Sequence, residues 1–271
     1  MIPSKAEVKA YYDEQSLRKI KDYVVGNARA DAATAALMRW MPAEPARVFE
    51  VGCGVGYTSF HIASIFDNCQ VTGFDISEKS IEIAQKLFVH PHTEYIQADQ
   101  LRDINLLGAK PAFDMIFLID VLEHIPLNER TGLYNFIKEN LSPNGRVFLA
   151  CPTPAFLAWL KVHDPANIQP VDEDITPAVL QLMAEETKTS LVYYEEKNIW
   201  RRGDYFHAVL SRGSFTGVPI HKILPNRKSG IIHRIKKKIS AGPHSFLQQR
   251  KKKEKQEERR LLVKNNLGVS I

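Results

Sequence analysis

The sequence predicts an α/β chain built on an open, mostly parallel sheet wound by helices on both faces. Three observations carry that prediction. Short apolar runs end in an acid or a glycine and are followed by helical periodicity, the pattern of repeated strand–helix units. The run Phe113 to Ile119 is almost continuously apolar, as suits a central parallel strand buried on both faces. Most informative is Val48-Phe49-Glu50-Val51, which opens into glycines at alternate positions, Gly52, Gly54 and Gly56, and then into a helical segment from Tyr57 to Phe66. Glycine lets the backbone turn tightly and come close to a ligand. The helix N-terminus behind it offers unpaired N–H donors. Together they describe a nucleotide-type pocket at the carboxyl end of a strand.

The elements follow in order. Residues 5–42 read as two helices, with Ala30, Ala33, Ala36, Leu37 and Trp40 on one apolar face and Pro42 as the stop. After the glycine loop, Gln70 to Asp75 reads as a second strand, its terminal acid nineteen positions beyond Gly56. An acid there accepts hydrogen bonds from ribose hydroxyls in nucleotide folds. Ser77 is placed to cap the next helix. The third strand, Thr93 to Ala98, ends at Asp99-Gln100, and the fourth ends at Asp120-Val121-Leu122-Glu123-His124. The turn Leu141-Ser142-Pro143-Asn144-Gly145 leads to a fifth strand, Arg146 to Cys151. Residues 190–198 and 204–212 then alternate as an antiparallel pair.

The spacing of the loop narrows the nucleotide. A dinucleotide-binding loop reads G-x-G-x-x-G, whereas this one reads E-x-G-x-G-x-G. That form resembles motif I of the class I S-adenosylmethionine-dependent methyltransferases. The F-D-x-I opening of the fourth strand, its D-x-L-E-H ending and the L-S-P-x-G turn are similar to the small-molecule branch of the same family. The resemblance covers roughly residues 45–152. It implies a Rossmann-like, doubly wound sheet of seven strands, mostly parallel, completed by an antiparallel terminal strand. The implied organisation is an N-terminal helical lid (1–42), a methyltransferase domain (43–215) with an insertion at 152–188, and a basic, partly helical C-terminal extension (216–271). The implied cofactor is S-adenosyl-L-methionine. Glu50, Gly52, Cys53, Gly54 and Gly56 would hold it together with Asp75 and Ile76. Asp99 and Gln100 would lie at the adenine edge and Asp120 and Val121 at the methionine half, with Tyr12 of Tyr11-Tyr12-Asp13 as an aromatic lid residue. Packing between helices is the alternative for both tyrosines.

Methyl transfer from a sulfonium asks the protein for alignment, a dry pocket and, for a weakly acidic nucleophile, a base. Histidine is the natural base near neutral pH, and three candidates stand out. His163 lies in the insertion, where acceptor contacts are expected. His124 follows the fourth strand, with a hydrogen-bonded loop role as its alternative. His207 falls within a terminal strand and points either into the pocket or into the core. Trp159, Tyr194 and Trp200 are candidate acceptor contacts, against the plain alternative of packing. No metal-ligand cluster is read, so no metal is expected.

Composition bounds the rest. With 271 residues and 44% hydrophobic content the chain can bury a full core. Cys53, Cys69 and Cys151 lack C-x-x-C spacing, which points to a reducing, cytoplasmic setting. Neither a signal peptide nor a membrane span is read at the N-terminus. Charge is uneven: residues 228–271 hold 13 Lys+Arg against 3 Asp+Glu, and the preceding body is mildly acidic. This tail, with Ile231, Ile232, Ile235 and Ile239 at helical spacing, suits an anionic membrane surface or an acidic partner. It equally suits a solvated helix packed by one face. Nucleic-acid methylation is disfavoured, because the N/D-P-P-Y/F tetrapeptide of base-amino enzymes is missing after the fourth strand. The expected function is methyl transfer to a hydroxyl or amine of a small molecule, with a natural-product, sugar or lipid-linked acceptor. Its alternatives are a methyltransferase-like scaffold that binds anionic partners through its tail, and an RNA methyltransferase. Oligomeric state is left open.

Overall fold

The computed structural model describes residues 4–99, 112–213 and 243–271, with side chains of the last segment from 251 onward. Gln100, the four tail isoleucines and the basic run at 234–238 lie outside the described residues. In chain order the elements are α1 (Lys5–Val25), α2 (Ala28–Trp40), β1 (Arg47–Val51), α3 (Tyr57–Ala63), β2 (Gln70–Asp75), α4 (Glu78–Leu87), β3 (Thr93–Gln97) and β4 (Phe113–Ile119). There follow α5 (Arg130–Asn140), β5 (Leu141–Pro152), α6 (Pro154–His163), α7 (Pro177–Glu186), β6 (Ser190–Lys197), β7 (Tyr205–Ser211) and α8 (Pro243–Leu267).

The strands form one seven-stranded sheet in the order β3-β2-β1-β4-β5-β7-β6. β1 to β5 are parallel, and β7 runs antiparallel between β5 and β6. This is the predicted Rossmann-like, doubly wound architecture with its antiparallel terminal strand. Alternate residues of each central strand feed two cores. Phe49, Ile116 and Leu118 pack with α5 and α7 through Leu133, Ile137, Leu180 and Met183. Val48, Met115 and Phe117 pack on the other face with Ala33 and Leu37 of α2 and Ile62 of α3. Strand order reverses between β1 and β4, so the loops leaving these two strands diverge and open a crevice at their carboxyl ends.

Helix starts follow local chemistry. Ser77 caps α4 as expected, accepting from Ser80 N at 3.0 Å. Thr153 and Thr176 cap α6 and α7, each followed by proline at the first helical position. One element differs from expectation. β5 begins at Leu141 rather than after the turn, because Leu141 already pairs with Phe113 before the register shifts at Met115–Arg146. Gly145 permits this, since a Cβ there would lie 2.7 Å from Leu141 side-chain atoms.

α8 is not free in solution. Val263 is fully buried, and the Arg259 guanidinium lies 4.5 Å from the Tyr23 ring centre of α1 and 5.5 Å from that of Tyr57. Among the described residues no helix is long and apolar enough to cross a membrane.

Candidate active site

The glycine loop is held by backbone contacts that its own sequence makes possible. Gly52 has φ +69°, and a Cβ there would sit 2.4 Å from Val121 Cγ2, so only glycine lets the β1 and β4 loops approach. Gly56, at φ +87°, begins α3. Cys53 N donates to Phe74 O at 2.8 Å. Gly54 N donates to Asp75 Oδ2 at 2.7 Å, and Asp75 Oδ1 accepts from Ser77 N at 2.9 Å. Asp75 therefore ties the ends of β1 and β2 together. Glu50 lies behind the loop, accepts from Ser59 Oγ, and is pushed up to about 8 by burial, which outweighs that bond. Burial likewise drives the Cys53 thiol far above its ordinary range, so this cysteine is a packing residue of the loop.

The loop after β4 carries the charged side of the site. Asp120 adopts φ +55°, an uncommon conformation for a residue with a side chain. Its amide donates to Ala150 O at 2.8 Å, and its Oδ2 meets Arg29 Nη1 of α2 at 3.1 Å. Its Oδ1 is buried with no partner among the described residues. Burial raises the Asp120 carboxyl against the pull of Arg29, His124 and Lys19. Arg29 also lies 5.7 Å from the Tyr205 ring centre and donates to its hydroxyl at 3.4 Å. Burial works against the Arg29 charge, yet Asp120 prevails and keeps the guanidinium protonated.

Next along the loop, His124 Nδ1 is 2.8 Å from Val171 O and 3.1 Å from Asp172 Oδ1, while Nε2 is 3.8 Å from Glu123 Oε1. Burial lowers the His124 imidazole, but Glu123 and Asp172 outweigh it and the net shift is upward. Glu123 itself is pushed up to about 7 by burial, with His124 opposing. An imidazole between two carboxylates can take a proton and hold it.

A cavity of about 1080 Å³ opens over these loops. It gathers Gly52, Asp75, Ile76, Asp99, Asp120 and Val121 from four strand ends, and His124 with them. Tyr12 covers it from α1, its hydroxyl donating to Gln169 Oε1 at 3.0 Å and its ring centre 6.2 Å from that of His124. Asp13 beside it accepts from Ser77 Oγ at 2.6 Å, fastening α1 to the start of α4. Glu50, Cys53, Gly54 and Gly56 form the layer behind.

Other predicted residues lie elsewhere. His163 is exposed at the end of α6 and stacks on Trp159 at 4.7 Å, and neither residue lines the cavity. His207 points into the core against Phe148, its Nδ1 is buried without a partner among the described residues, and burial pulls it down to about 4. A base role for His207 is therefore corrected to a core role. Tyr194 stacks on Phe206 at 5.2 Å and packs on the core rather than the cavity. Trp200 is 56% exposed. Sequence reading missed Arg29, Lys19 and Tyr205. The one available signal for Arg29 was a lone cation between alanines on a helix that must pack.

Comparison with known proteins agrees with this geometry. Residues 49–147 match the family model described as a methyltransferase domain. The O-methyltransferase cnsE of Penicillium expansum is 28% identical over 149 residues, covering 50% of this chain and 51% of that protein. The ubiquinone biosynthesis O-methyltransferase of Xanthomonas axonopodis pv. citri is 31% identical over 118 residues, 42% of this chain and 46% of that protein. The chain thus spans about half the length of the curated relatives it matches. Among solved structures, magnesium protoporphyrin IX methyltransferase from Synechocystis PCC 6803, with bound SAH, superposes with TM-score 0.58 at 20% identity, covering 77% of this chain and all of that one. That likeness shows the fold.

Proposed function

We propose that this chain, whose residues 49–147 match a methyltransferase domain model, moves the methyl group of S-adenosyl-L-methionine to a hydroxyl or amine of a small molecule. The observation that carries this reading is the cavity itself, which collects the ends of β1, β2, β3 and β4 on one side of the crevice. The residues suit the cofactor. The glycine cradle at Gly52 would be filled by a Cβ, and the orphaned Asp120 Oδ1 offers an anionic acceptor toward a cationic amine. Asp75, Ile76 and Asp99 would hold the nucleoside half, and Gly52, Asp120 and Val121 the amino-acid half.

When bound, S-adenosyl-L-methionine supplies an electrophilic methyl on a sulfonium that departs as a neutral thioether. The protein's work is then alignment and proton removal. His124, lining the cavity and held at Nδ1 by Val171 O and Asp172, is the candidate base, with Glu123 stabilising its cation. Tyr12 keeps water out from above. Once an acceptor is in hand, His124→Ala should lower kcat about 10²-fold or more.

Binding tests the reading directly. Calorimetry should give micromolar-range affinity for S-adenosylmethionine and S-adenosylhomocysteine, lost in Asp75→Asn while circular dichroism stays native. Folded protein that binds neither ligand would sink it. Lys251, Lys252, Lys253 and Lys255 are exposed on α8, which supports a further role in peripheral attachment to an anionic membrane. Co-sedimentation with phosphatidylserine vesicles, compared with neutral ones, checks that point.

A further inference from the structure

A second built surface lies beside the cavity, at the same edge of the sheet. The turn between β6 and β7 is fixed by Asp204, which is only 1% exposed. Its carboxylate accepts from the amides of Ile199 (2.9 Å), Trp200 (2.8 Å) and Arg201 (2.9 Å). Thr153 binds the same turn to the start of α6, its amide donating to Asp204 O at 3.0 Å and its hydroxyl to Gly203 O at 2.6 Å. These bonds set the backbone of Trp200 and Arg201 before any ligand arrives, so little ordering is left for binding.

The side chains are set as well. The Arg201 guanidinium lies 3.7 Å from the ring centre of Trp159 on α6. His163 stacks parallel on the same indole at 4.7 Å, and Phe156 continues the stack at 6.1 Å. Arg201 is thereby held against the indole while its side chain stays exposed. No carboxylate among the described residues pairs with it, and Arg202 next to it is exposed. A stacked, unpaired guanidinium presents a fork that fits a carboxylate or phosphate in bidentate fashion.

This surface is joined to the methyl-transfer cavity by direct contacts. Tyr205 touches Trp200 (5.9 Å) and Phe156 (5.8 Å) on one side and Arg29 on the other, and Arg29 holds Asp120. The chain leaving His163 runs to Gln169, which meets Tyr12, and to Val171 and Asp172, which meet His124. The platform residues do not line the cavity itself; these contacts are the link between the two.

We propose that Arg201, seated on Trp159, recognises an anionic group on the methyl acceptor, with the exposed Trp200 indole beside it for the acceptor's ring. The acceptor class is therefore an aromatic or other planar small molecule bearing a carboxylate or a phosphate at the end remote from the methylated atom. This rests on the methyl-transfer reading for the identity of the ligand. The anion site itself is independent of it.

The test uses the 271-residue chain saturated with S-adenosylhomocysteine and three probes, benzoate, phenyl phosphate and phenol, titrated by ligand-observed NMR. Benzoate or phenyl phosphate should bind at least tenfold more tightly than phenol, and the tighter of the two names the anion. Arg201→Gln should erase that margin and Arg201→Lys reduce it, both with unchanged affinity for S-adenosylhomocysteine. Equal binding of all three probes, or a margin that survives Arg201→Gln, would overturn the proposal. So would tight, Arg201-dependent binding of a short oligodeoxythymidylate, which would make the platform a nucleic-acid surface. Wild-type protein that holds the anion margin but not S-adenosylhomocysteine would remove the methyl-transfer reading and leave the anion site standing.

Discussion

The two halves of this site are built by different means. On the proposed cofactor side, contiguous motifs present backbone: glycines at positive φ, amides anchored on Asp75, and strand ends in parallel register. On the proposed acceptor side, side chains from α2, α6, the 164–172 loop and β7 meet across long stretches of sequence. A backbone site tolerates few changes because its geometry is the fold. A side-chain site can change without disturbing the sheet. The contrast predicts a graded series of effects.

The largest belongs to the glycine cradle. Gly52→Ala adds a Cβ at 2.4 Å from Val121 and keeps a left-handed backbone, together costing about 2–5 kcal/mol. Binding of S-adenosylhomocysteine should fall below detection by calorimetry, and stability should drop with it. An alanine variant that binds normally would break the claim that the cofactor side is made of backbone.

Next is the ion pair that joins the two halves. Arg29→Ala leaves Asp120 buried without its cation and should cost on the order of 3 kcal/mol in urea unfolding. Truncating Asp120 as well should recover part of that loss, which a double-mutant cycle would measure. Strict additivity would show the two residues to be uncoupled.

A smaller effect appears with pH. Glu123 and Glu50 have folded values raised by burial to about 7 and about 8, well above ordinary glutamate, and His124 is also raised. A group whose folded pKa is raised stabilises the fold below its unfolded pKa and loses that contribution as pH climbs through the folded value. Stability should therefore fall between about pH 5 and 8, and Glu123→Gln should flatten part of that slope. His207, pulled down to about 4, opposes this slope below about pH 6.5, so a wild-type stability that rises above that point would contradict the burial of both carboxylates. The smallest effect is at the platform, where Arg201→Gln should change unfolding free energy by less than about 0.5 kcal/mol.

Legibility in the sequence follows the same division. β4 was readable to its ends because a strand buried on both faces has no polar alternation to blur it. The glycine loop and the acids at Asp75, Asp99 and Asp120 were readable because each lies at or just beyond the carboxyl end of a strand, and parallel register places all strand ends together. The histidines were not separable in this way. His124, His163 and His207 carry the same chemistry, yet one lines the cavity, one is exposed and stacks on a half-buried indole, and one sits in the core. Trp200 and Tyr194 divide likewise, one exposed and the other packed on Phe206.

The sequence by itself determined the sheet, its order of strand and helix, the cradle and the edge at which a ligand must sit. Those features depend on local periodicity and on residue types that only one backbone conformation admits. Tertiary structure alone decided that Arg29 would neutralise Asp120, that Asp172 would hold His124, and that Asp204 would set Arg201 against Trp159. In the first two cases the partners lie far apart in the chain, and in the third the indole lies 42 positions before its arginine. Each pairing is a matter of which side chains the crossovers bring within reach, and no spacing rule along the chain encodes that distance.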